Sequence, residues 1–93
     1  MKDRFAVKVT DSDMMPRFWN GDVVVVDPNI QPQNGDYGLF RIGKDVTMLR
    51  QFNENDSEYI LYAPSSEVFD LPIPKGYAGF EVLGKVVDMQ ANI

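Results

Sequence analysis

The stretch Asn34-Gly35-Asp36-Tyr37-Gly38-Leu39-Phe40-Arg41-Ile42-Gly43-Lys44-Asp45-Val46-Thr47-Met48-Leu49-Arg50-Gln51-Phe52 decides the fold class. It opens on a turn signal, and two strand-like runs, 37–42 and 46–52, are joined by a short glycine-containing loop, which is the pattern of a β-hairpin. Upstream, Asn20-Gly21-Asp22 launches Val23-Val24-Val25-Val26, four β-branched residues closed by Asp27-Pro28, which predicts a buried strand. Before that turn, Phe5, Val7 and Val9 alternate with Ala6, Lys8 and Thr10, the period of a strand with one buried face, until Asp11-Ser12-Asp13 breaks it. Downstream, 59–62 is again strand-like and 80–89 forms the last strand. Between them, 64–74 reads as a loop, because Pro64, Pro72 and Pro74 oppose a regular ladder. No segment has sustained helical periodicity, although 14–19 fits one helical turn. The expectation is a single mainly β domain.

Ninety-three residues suffice for one core and not for two. With 44% hydrophobic and 25% charged residues, the composition is that of a folded globular chain. The net charge of −5 opposes the counterion release that dominates nucleic-acid affinity, so this segment is not expected to hold DNA itself. The absence of Cys and His excludes thiolate or imidazole metal sites, Cys nucleophiles, a Ser-His-Asp triad and disulfides. No metal or cofactor is expected. No apolar run approaches the roughly 20 residues of a membrane span, and no apolar stretch follows the charged start Met1-Lys2-Asp3-Arg4, so a cytoplasmic location without membrane contact is the default. The two Asn-Gly-Asp turns lack the twelve-residue ligand loop of a calcium site, and turn chemistry explains them.

In order, the chain presents Val9-Thr10-Asp11-Ser12-Asp13-Met14-Met15-Pro16, Gly21-Asp22-Val23, Val26-Asp27, Gly35-Asp36-Tyr37, Val46-Thr47 and Leu83-Gly84-Lys85-Val86-Val87. Over roughly residues 5–89 this resembles the C-terminal domain of LexA, UmuD and lambda-type phage repressors: strand, Ser-Met-x-Pro, Gly-Asp, strand, Gly-Asp, strand, Val-x-Lys-Arg. The resemblance implies a strongly bent, mainly β fold, the LexA-like β-clip, with at most short helical turns. It also implies a domain that dimerises and can cut its own linker to an N-terminal DNA-binding domain. No helix-turn-helix precedes Lys2, so the chain is expected to be either an excised domain or a regulator encoded without its own reader.

Matched to the family motif, the serine nucleophile position directly before Met-x-Pro is Asp13, and the lysine base position is Leu49, followed by Arg50. A carboxylate places negative charge beside the oxyanion that acyl transfer develops, and leucine cannot take a proton. Arg50 stays protonated, and strand alternation is expected to turn it away from Leu49's face. The catalytic dyad is therefore expected to be degenerate. One fallback uses Ser12 as nucleophile with Lys44 or Lys85 as base. The family's cleavage bond is Ala-Gly or Cys-Gly upstream of the serine, whereas Ala78-Gly79 lies far downstream and reads as a strand-entry turn. Phe18 and Trp19 with Met14 and Met15 form an apolar cluster, read as core in preference to a dimer patch. Phe80, Val82, Val86 and Met89 of the last strand are the candidate dimer contacts, on a strand free to pair with a partner chain as an edge.

These features favour a dimerisation or oligomerisation domain of a phage or prophage-type transcriptional repressor lacking the Ser-Lys autocleavage dyad. Its partners are expected to be a second copy of itself, DNA only through an N-terminal domain, and an antirepressor protein. The alternatives are an active LexA-like self-cleaving peptidase using Ser12, and a stand-alone adaptor or antirepressor-binding protein.

Overall fold

A computed structural model describes residues 1–65 and 67–90, and among them every regular element is a strand. The strands are β1 (Phe5–Lys8), β2 (Val23–Asp27), β3 (Tyr37–Ile42), β4 (Val46–Glu54), β5 (Glu58–Tyr62), β6 (Leu71–Pro74) and β7 (Phe80–Gln90). They form one antiparallel sheet in the order β1-β2-β7-β3-β4-β5-β6, the mainly β, LexA-like fold expected from the sequence.

The two Asn-Gly-Asp signals build the same turn. Asp22 and Asp36 donate their N–H to the carbonyls of Trp19 and Gln33 at 2.9 and 2.8 Å. In return, their carboxylates accept the N–H of those same residues at 2.9 and 2.8 Å. Each intervening glycine takes a positive φ, 99° at Gly21 and 92° at Gly35. The glycine N–H groups then donate to the carbonyls of Val9 and Phe52, whose own N–H groups donate to the carbonyls of Asp22 and Asp36. Each Gly-Asp pair thus closes a turn and fastens it to a neighbouring segment. A Cβ on Gly35 would meet nothing within 4 Å, so only the backbone conformation opposes it. Gly35→Ala is therefore expected to cost about 1 kcal/mol, measured as a shift in the urea midpoint with an unchanged slope.

β7 changes neighbour along its length. Phe80 to Lys85 pair with β3, and Lys85 to Gln90 pair with β2, with a register shift in each ladder near the exchange. Gly84 sits there because a Cβ would lie 2.6 Å from the carbonyl oxygen of Asp27. The sheet consequently bends and encloses two small cores. Leu39, Leu49 and Leu83 face a cluster containing Val9, Met14, Phe18, Val24, Val26 and Ala63. Their neighbours Phe40, Met48 and Val82 face a second cluster with Phe52, Leu61 and Ile73, as strand alternation requires.

The sequence-based loop over 64–74 is corrected in its second half: 71–74 is β6, paired with β5 at the end of the sheet. Leu71 and Ile73 pack on the second core while Pro72 and Pro74 are exposed. Alternate prolines are compatible with an edge strand, whose outward positions need no N–H.

The start of β1 is clamped to the end of β2. The Asp27 carboxylate accepts hydrogen bonds from the Asn29 N–H at 2.8 Å and from Arg4 Nε at 3.0 Å, and Asn29 exchanges two hydrogen bonds with the Lys2 backbone. These bonds, the Asn29 N–H foremost and Arg4 next, hold the Asp27 carboxyl below its ordinary value. A lowered folded-state pKa contributes stability above the unfolded value, about 3.9, and that contribution is lost as pH falls through the folded value. Thermal midpoints measured from pH 5 down to pH 2 should therefore fall less steeply for Asp27→Asn than for the parent.

Candidate functional site

The segment between β1 and β2 carries the Met-x-Pro motif and is anchored from below. Met14 and Phe18 are buried at 1% and 0% exposure, which confirms the core reading for them, whereas Trp19 is 54% exposed. The Met15 N–H donates to the Ser12 carbonyl, and the Phe18 N–H donates to the Met14 carbonyl at 3.0 Å, giving the single helical turn expected. The Met15-Pro16 peptide is cis. Asp13 is held on both sides: its N–H donates to the Asp11 carboxylate at 3.1 Å, and its carbonyl accepts the Ser65 N–H at 3.4 Å.

Across from this turn lies β4. It pairs with β3 over 46–51 and with β5 only over 51–54, so among the described residues no strand covers the other edge of 46–50. A cleft of about 90 Å³ runs there, between Lys8, Val9, Thr10, Asp11 and Met14 on one side and the 47–50 segment on the other. Leu49 packs into the first core. Arg50 leaves the strand on the opposite face, as alternation demands, but does not point away from the site as the sequence suggested. Its side chain turns back along its own strand, gives Nη1 to the Leu49 carbonyl at 2.7 Å and places Nη2 3.3 Å from Asp13 Oδ2. An open strand edge permits this path, because the Leu49 carbonyl is there to be bonded by a long side chain.

Asp13 and Arg50 are therefore an ion pair, with Arg50 nearly buried and Asp13 about one-third exposed. The pair supplies neither a hydroxyl nor a neutral amine. An ionised carboxylate only accepts hydrogen bonds, and a guanidinium holds its proton at any physiological pH. The described residues contain no cluster of three or more His, Cys, Asp or Glu placed to hold a metal ion. Nor do they contain a helix long and apolar enough to cross a membrane.

A family model described as Peptidase S24-like matches residues 1–87. The chain belongs to the Peptidase S24-like family. A search of curated proteins returned no match. The match agrees with the LexA- and UmuD-like resemblance read from the sequence, and the all-β sheet is consistent with it.

The remaining sequence candidates are dispersed. Ser12 is exposed, Lys44 sits in the β3–β4 loop, and Lys85 lies 3.6 Å from the Asp36 carboxylate. Lys8, which lines the cleft, was not singled out by sequence; its position at the end of β1 was the available signal. Phe80 and Val82 pack against the second core, Val86 packs against the first, and Met89 is exposed. The expectation of a simple edge strand is corrected: β7 lies between β2 and β3 in the sheet, and each of its halves is paired on one side only.

Proposed function

We propose that this chain is the dimerisation domain of a phage or prophage-type transcriptional repressor in which the family's Ser-Lys self-cleavage chemistry is replaced by a structural ion pair. The observation that carries this reading is the Asp13–Arg50 contact, with Leu49 turned into the core. The family reaction needs a neutral hydroxyl and a neutral lysine, and these positions hold a carboxylate, a leucine and a permanently charged guanidinium. DNA contact would belong to an N-terminal domain.

Dimerisation is supported by the edges of the sheet. β6 ends the sheet with two prolines, and β1 ends it with an exposed Lys8 on the strand and Arg4 just before it, devices that discourage strand addition. The free side of residues 86–90 in β7 carries neither proline nor lysine. Two such edges joined about a two-fold axis would set two DNA-reading domains on the half-sites of a symmetric operator. Sedimentation should show a dimer; a monomer at high micromolar concentration overturns this reading. Without self-cleavage, release from the operator would come from a separate protein or ligand that shifts the dimer equilibrium.

A further inference from the structure

Beside the free side of 86–90 lies a groove lined by Arg17, Phe18, Tyr37, Val86, Asp88 and Met89. The Arg17 guanidinium rests over the rings of Phe18 and Tyr37, with 4.9 and 5.0 Å to their centroids, and the two rings meet edge to face at 5.2 Å. Phe18 is fully buried, so the ring beneath the charge is seated in the first core. Asp88 stands on the same groove, and its carboxylate accepts the Met89 N–H at 2.8 Å. Among the described residues neither Arg17 nor Asp88 forms an ion pair, although opposite charges line one groove.

We infer that the groove receives the 86–90 segment of a second copy of this chain, and that Arg17 of each copy pairs with the partner copy's Asp88. This rests on the proposed dimer and adds the contacts that set its specificity. An interface related by a two-fold axis must be self-complementary. Antiparallel pairing of two 86–90 segments brings the two Asp88 carboxylates toward each other, which is unfavourable for like charges facing across strands. Arg17, held beside the same edge, supplies the compensating charge on both sides. Val86 and Met89 contribute the apolar contacts between them.

The test is a charge-swap cycle in the whole chain, read by sedimentation equilibrium. Arg17→Glu and Asp88→Arg are each expected to weaken the dimer at least tenfold, about 1.4 kcal/mol. The double variant, which restores opposite charges between positions 17 and 88 and leaves the 88–88 contact like-charged as in the parent, should recover most of the loss. Circular dichroism of each variant must match the parent, and Arg17→Gln serves as a second probe that removes charge without reversing it. Single variants that dimerise like the parent, or a double variant as weak as the singles, overturn the Arg17–Asp88 pairing while leaving the dimer standing. A parent that never dimerises overturns both.

Discussion

Gly84→Val is expected to unfold the chain or destabilise it by at least about 3 kcal/mol, the upper range for forcing atoms into a packed site. At Gly84, β7 leaves β3 for β2 and both ladders shift register. A Cβ would stand 2.6 Å from the Asp27 carbonyl oxygen, 2.9 Å from its carbonyl carbon and 2.7 Å from Val26 Cγ1. Two of those three atoms are backbone, so relief requires β2 to move away from β7 rather than a side chain to rotate. Because β2 also carries β1 and the Asp27 clamp, that movement would propagate to the start of the chain. Chemical denaturation compared with Gly35→Ala separates the causes. Gly35 has a positive φ and open space, and Gly84 adds a steric barrier to its own positive φ of 157°. Equal midpoints for the two variants would refute the close-approach argument.

Phe18→Ala is expected to cost about 3–5 kcal/mol, as for other fully buried phenylalanines. Phe18 joins three features: the first core, the turn that carries Asp13, and the ring platform beneath Arg17. Its removal should loosen the turn as well as empty the core. Trp19 is the single tryptophan and immediately follows it, so its fluorescence reports on the turn directly. A urea midpoint moved by less than about 1 kcal/mol, with unchanged Trp19 emission, would show that Phe18 does not anchor the turn.

Most of the fold was legible because its signals are local. The hairpin of β3 and β4 was written in residues 37–52, and β2 in four consecutive valines. Each Asn-Gly-Asp marked a turn whose Asp caps the residue three before it. β6 was missed because proline argues against a ladder, and only the tertiary placement of 71–74 at the sheet's end makes Pro72 and Pro74 acceptable. The candidate site was half legible. The motif located Asp13, Leu49 and Arg50, and alternation placed Leu49 and Arg50 on opposite faces. Alternation does not reveal that β4 has an uncovered edge around which Arg50 can reach, since that depends on where β5 begins to pair. The exchange of neighbours along β7 was invisible for the same reason: a strand's own pattern does not name its partners.

The most direct measurement is self-cleavage. A protein carrying this chain behind a linker with an Ala-Gly bond is incubated at alkaline pH, which favours a neutral lysine in the family's chemistry. It is followed by gel electrophoresis and mass spectrometry beside an Asp13→Ser, Leu49→Lys variant. The parent, with Asp13 paired to Arg50, should remain intact throughout. Two fragments cut at the linker from the parent, at a rate comparable to the variant's, would contradict the replacement of the dyad by an ion pair.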